Sequence, residues 1–149
     1  MWTLSSRARI AAVLATIPLA AFTLVGLIGN SALAESHRAV RAGEWNRAES
    51  QARKAIRWIP WSSEGWSQLA EAQLGNDDVA SARRSYAKAL EKDPKDGILW
   101  FDYGLLSTGS ERTRAVNKAH ELNPLNAGID RVARALPKTT KHGSLAGKK

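Results

Sequence analysis

The side chains able to do chemistry are few and poorly spaced for it. Histidine occurs only at His37, His120 and His142, and none has a second ligand-type side chain three or four residues away, the spacing that brings two ligands onto one helix face. Glu121 follows His120 directly and so faces elsewhere on a helix. Asp77 and Asp78 form a carboxylate pair, yet they stand just before a helical stretch, where capping and the helix dipole account for acids. The chain has no cysteine, which excludes disulfides, thiolate catalysis and cysteine-based zinc sites. Glycine-rich phosphate loops, nucleophile elbows and paired acids at catalytic spacing are all missing from the sequence. No catalytic, cofactor-binding or metal-binding residue is therefore expected, and the chain reads as a protein without enzymatic activity or a small-molecule substrate.

The tryptophans are the next candidates. Trp45, Trp58, Trp61, Trp66 and Trp100 crowd the middle of the chain, and a ring cluster of this kind either fills a core or lines a binding surface. Trp58 and Trp61 flank Pro60 in an expected turn. One of them is a candidate for an exposed contact with a partner or with a membrane interface.

Charge points away from nucleic acid. The net charge is +8 over 149 residues, but residues 1–34 carry only Arg7 and Arg9. Residues 35–136 hold sixteen Lys/Arg against fourteen Asp/Glu, and residues 137–149 add four lysines and no acid. The folded part is nearly neutral. The basic excess collects in a Gly/Ser/Thr/Lys tail that cannot bury enough apolar surface to fold.

These residues must be positioned by two kinds of element. From Ile10 to Ile28 the chain reads nineteen residues without a charge, about 28 Å as a helix and about the thickness of the bilayer hydrocarbon. Pro18 near its middle is tolerated in a membrane helix. Arg7 and Arg9 precede the span and Glu35 follows it, so the positive-inside bias places the N-terminus in the cytoplasm and the remainder across the membrane. A cleaved secretory signal stays open as the alternative, because Ala32-Leu33-Ala34 has the small-x-small pattern of a cleavage site. The length of the apolar run favours an uncleaved anchor, as does the use of residues 30–34 in the helix that follows.

Beyond the anchor the chain repeats itself. Trp66 and Trp100 are 34 residues apart, as are Pro60 and Pro94. Trp66, Leu69, Ala82, Tyr86, Ala89 and Pro94 fall where the W-x2-L, Ala, aromatic, Ala and Pro positions of a 34-residue helical hairpin lie. The unit before it has Ala32, Ala39, Gly43, Trp45, Ala48, Ala52, Ala55 and Pro60. The unit after it runs from Trp100, Tyr103 and Gly104 to Ala119 and Pro124, about four residues shorter. This pattern resembles the tetratricopeptide repeat. The resemblance implies about three helix-turn-helix units forming an α-solenoid with a short capping helix, which with the N-terminal transmembrane helix read from the apolar run makes an all-α fold. Residues 1–29 are read as cytoplasmic stub and membrane anchor or signal peptide, 30–136 as the repeat domain, and 137–149 as a basic disordered tail.

Helices are expected near 30–43, 46–58, 63–75, 78–91, 96–107, 110–121 and 126–135, the first continuing from the membrane helix. Ser62 or Ser63, Asp77, and Thr108 with Glu111 in a capping box are the expected helix starts. In the tetratricopeptide class the groove floor comes from the first helix of each hairpin. Here that implies His37, Val40 and Arg41, then Glu64, Ser67, Glu71 and Leu74, then Ile98, Phe101 and Leu105. The Lys/Asn cluster with which chaperone-type repeats clamp a terminal carboxylate is missing, and Leu33 and His37 occupy two of its places. A partner with apolar anchors against Phe101 and Leu105 is the expectation.

A narrower resemblance rests on Ile59-Pro60-Trp61-Ser62-Ser63-Glu64-Gly65-Trp66, Ala70-Glu71-Ala72-Gln73-Leu74, Lys92-Asp93-Pro94-Lys95-Asp96, Leu99-Trp100-Phe101-Asp102 and Leu122-Asn123-Pro124-Leu125-Asn126. These resemble the extracytoplasmic repeat tail of bacterial O-antigen ligase and polymerase-like membrane proteins. Those proteins act through many membrane helices, and this chain has one candidate, so no catalytic residue carries over.

The sequence thus points to a scaffold held in a bacterial cytoplasmic membrane through residues 10–28, with its repeats outside binding another membrane or envelope protein. Alternatives are an accessory subunit docked through its membrane helix, an accessory module for envelope polysaccharide assembly, or a protein exported after cleavage following Ala34. No nucleic acid and no cofactor is expected.

Overall fold

The computed structural model describes residues 6–136, with side chains from residue 22 onward. All of its elements are helices: α1 (Ser6–Arg41), α2 (Trp45–Trp58), α3 (Ser63–Gly75), α4 (Val79–Lys92), α5 (Gly97–Leu105), α6 (Gly109–Leu122) and α7 (Ala127–Ala135). Starts and ends fall within two residues of those expected, apart from the start of α1. That helix runs unbroken from the apolar segment into the first hairpin. The stub at 1–5 and the tail at 137–149 lie outside the described residues. Among the residues described, no helix is long and apolar enough to cross a membrane. Most of the expected span, residues 10–21, falls where side chains are not described.

Small residues set the helix spacing. Ala48, Ala52 and Ala55 of α2 are fully buried, as are Ala70 and Ala72 of α3 and Ala82 and Ala89 of α4. Alanine at these positions lets helix axes approach closely without voids. Each of the first two hairpins has a buried hydroxyl bond across its helices. The Ser36 hydroxyl donates to the Ala48 carbonyl at 2.9 Å, and the Ser85 hydroxyl donates to Gln73 Oε1 at 2.7 Å.

The turns explain where the helices stop. Gly43 N–H donates to Val40 O at 3.0 Å and Glu44 N–H to Ala39 O at 2.9 Å. Gly43 itself sits at φ 72°, which makes a Schellman end for α1. Thirty-four residues on, Asp77 N–H donates to Leu74 O at 3.0 Å and Asp78 N–H to Gln73 O at 2.9 Å, with Asp77 at φ 62°. Asp77 therefore closes α3 and does not cap α4 as expected. Asp78 is the cap and accepts from Ser81 N–H at 2.9 Å. Ser62 caps α3 through Glu64 N–H. Thr108 occupies the N-cap of α6 but makes no side-chain cap bond, while Glu111 accepts from the Tyr103 hydroxyl; the expected capping box is corrected accordingly.

The described residues divide after Asp93 into two compact units. In the first, α1 packs on α2, α2 on α3, α3 on α4, and α1 touches α3. In the second, α5 packs on α6 and α6 on α7. The second core centres on Ala115, Val116, Ala119 and Ile129.

Candidate functional site

The expected groove residues are shared between the two units. In the first, α1 and α3 bring His37 and Glu64 together: His37 Nε2 lies 2.8 Å from Glu64 Oε1. Their side chains remain 38% and 54% exposed, so the pair belongs to a solvated face and contributes well under about 1 kcal/mol. Ser67 turns back on its own helix, its hydroxyl donating to Glu64 O at 3.0 Å. Glu71 accepts from Gln68 Nε2 at 3.1 Å. Leu74 is half-buried and Arg41 exposed; Arg41 stands in the last turn of α1, where a cation complements the helix dipole. Val40 packs against the Ala39, Ala48 and Ala72 cluster, so its apolar surface is partly used by the core.

In the second unit, Ile98, Phe101 and Leu105 lie three and four residues apart on α5, which places them on one face. Ile98 and Leu105 are each 43% exposed, while Phe101 is half-buried. The α5–α6 hairpin also carries a recess of about 570 Å³ containing Trp100, Thr113, Arg114, Asn117 and Lys118. The Trp100 N–H donates to Pro94 O at 2.9 Å, and its ring meets Tyr103 edge-on at 6.4 Å.

The tryptophans separate as the repeat register requires. Trp45 presses on α3 so tightly that a Cβ at Gly75 would lie 2.1 Å from its Cδ2. Trp66 is half-buried, and its indole N–H is buried without a hydrogen-bond partner. Trp58 and Trp61 are both exposed, at 38% and 57%.

Sequence reading missed Phe22. Its ring stacks on Trp61 at 6.3 Å and 11°, forming part of a recess of about 450 Å³ between α1 and the α2–α3 turn. No local pattern could have signalled a contact between residues 39 apart. The register offered one hint, because Trp61 occupies the position just after the closing proline.

Electrostatics describe a surface of paired charges. Glu35 of α1 meets both Arg38 and Arg47, and Arg47 also reaches Glu44 at 2.9 Å. The Glu44 hydrogen bond and the Glu35 charge hold the Arg47 guanidinium above its usual pKa. Among the described residues no group of three His, Asp or Glu side chains is placed to hold a metal ion. The arrangement offers polar and apolar contact surface.

Comparisons bear on the fold. No protein-family model matches the chain, and no curated protein does. Solved structures do match. The Arabidopsis OM64 TPR domain superposes with a TM-score of 0.68 at 19% identity, covering 74% of this chain and 95% of that one. The first TPR of Spaghetti (RPAP3), bound to the HSP90 peptide SRMEEVD, gives 0.69 at 14% identity, covering 73% and 90%. The Sgt2 TPR domain from Aspergillus fumigatus gives 0.65 at 18% identity, covering 80% and 91%. At such identities the likeness is one of fold, and the fold is that of tetratricopeptide repeats.

Proposed function

We propose that this tetratricopeptide-fold chain is a non-enzymatic scaffold, anchored in a bacterial cytoplasmic membrane by its N-terminal helix and binding a partner protein through its repeats on the extracytoplasmic side. The observation that carries the reading is α1 itself, one helix from Ser6 to Arg41. It joins the nineteen-residue apolar run to the first repeat, so that cleavage after Ala34 would cut a helix whose Ala32 and Leu33 are buried against Ala55 and Ile59. The fold supports a protein partner, since the Spaghetti domain of the same fold was solved with a peptide. An acidic chaperone tail is a poor candidate for this chain: Leu33 is 5% exposed and His37 is engaged with Glu64. Accessory roles in polysaccharide assembly rest on short motifs and on no contact in the fold, so the proposal stops at a membrane or envelope protein.

The test is purification of the full chain from detergent-solubilised membranes. A stoichiometric protein partner is expected, lost on the double substitution Glu71→Lys, Leu74→Asp and retained on Lys88→Ala, which changes an exposed residue of α4. Recovery of the chain alone contradicts the proposal.

A further inference from the structure

The exposed aromatic pair at the α2–α3 turn is not explained by the repeat. Trp61, Lys95 and Leu125 each follow the proline that closes a unit, and all three are exposed, Leu125 at 94%. The fold therefore asks for no large apolar side chain at this position. Trp61 nevertheless stacks on Phe22, and Phe22, Leu24 and Leu27 of α1 are themselves 64%, 56% and 67% exposed. The turn runs back along α1: a Cβ at Gly29 would lie 2.6 Å from Ile59 Cγ2, while Trp61 sits beside Phe22. Seven residues of helix separate these two levels, about 10 Å.

We infer that the turn carrying Trp58 and Trp61 is a second lipid contact, entering the headgroup/acyl boundary beside the N-terminal helix and fixing how the first unit stands on the membrane. The inference rests on the anchor reading. If residues 10–28 span the bilayer, Ile59 lies just beyond the apolar run and Trp61 lies level with Phe22, about 9 Å inside it, the depth at which amphipathic elements settle. Tryptophan concentrates in this zone because its ring is apolar and its N–H polar. Charge agrees as well: Lys54 and Arg57 are exposed near the end of α2, suited to anionic headgroups. The recess beside Trp61 combines apolar Phe22 and Ile59 with polar Asn30, Ser62 and Glu64, the mixed lining of an amphipathic surface element.

The experiment uses the full chain, which has no native cysteine, with nitroxide labels at Leu24→Cys, Trp61→Cys and Val79→Cys in phosphatidylcholine/phosphatidylglycerol vesicles. Collision with oxygen is compared with collision with a polar nickel complex. Positions 24 and 61 are expected to give an oxygen-to-nickel ratio several-fold above position 79. A ratio at 61 equal to that at 79, with 24 in lipid, overturns the inference and leaves the anchor standing. Aqueous readings at both 24 and 61 remove the anchor and the inference together. Shielding of 61 from both probes assigns the turn to a contact with a second copy and also overturns it. Trp58→Cys repeats the measurement without removing Trp61, so a failure of the first variant to fold leaves the question decidable.

Discussion

Gly75 at the end of α3 lies directly under the indole of Trp45 at the start of α2, where a Cβ would stand 2.1 Å from Cδ2 and 2.3 Å from Cε3. Alanine would raise helix propensity by about 1 kcal/mol, but forcing the ring aside costs about 1–3 kcal/mol. Gly75→Ala is expected to lower stability on balance, read as a lower denaturant midpoint with unchanged m-value. Trp45→Ala in the Gly75→Ala background should recover part of the loss that the two single changes predict together.

Both Schellman ends favour glycine. Asp77 holds φ 62°, a conformation costing an L-residue about 1 kcal/mol, so Asp77→Gly is expected to raise stability by about 0.5 kcal/mol. Gly43→Ala should lower it by about 1 kcal/mol for the same reason. Thermal unfolding of both variants checks the pair.

Asp78 contributes to the acid limb of stability. Hydrogen bonds from the Ser81 hydroxyl and then the Ser81 N–H hold its carboxyl below the usual value. A depressed folded pKa stabilises above the unfolded pKa, about 3.9, and that contribution disappears as pH falls through the folded value. Asp78→Asn should melt lower than the parent at pH 7, and the gap should close toward pH 2.

Trp66 buries an indole N–H that finds no partner, a penalty of about 1–3 kcal/mol. Trp66→Phe removes that group and keeps most of the ring, so it should fall within about 1 kcal/mol of the parent. Trp66→Ala opens the space beside Leu69 and should lose about 2 kcal/mol or more. Equal losses for the two variants would mean that the N–H is satisfied in solution.

The repeat was legible because its information is periodic. Trp66, Leu69, Ala82, Tyr86, Ala89 and Pro94 recur at fixed offsets, and the helices they imply are present. Residue type alone does not separate an acid that caps the next helix from one that closes the last; the 34-residue register does, aligning Asp77 with Gly43 at a left-handed helix end. His37 and Glu64, two of the expected groove residues, meet at 2.8 Å on a solvated face of the first unit. Phe22 on Trp61 and Trp45 on Gly75 join residues at least 30 apart whose complementarity lies in shape, which no spacing rule encodes.

The mass of the chain recovered from alkaline-washed membranes tests the anchored scaffold most directly. The expected result is a membrane-retained protein that still contains residues 1–34. A soluble protein beginning at Glu35 would contradict it.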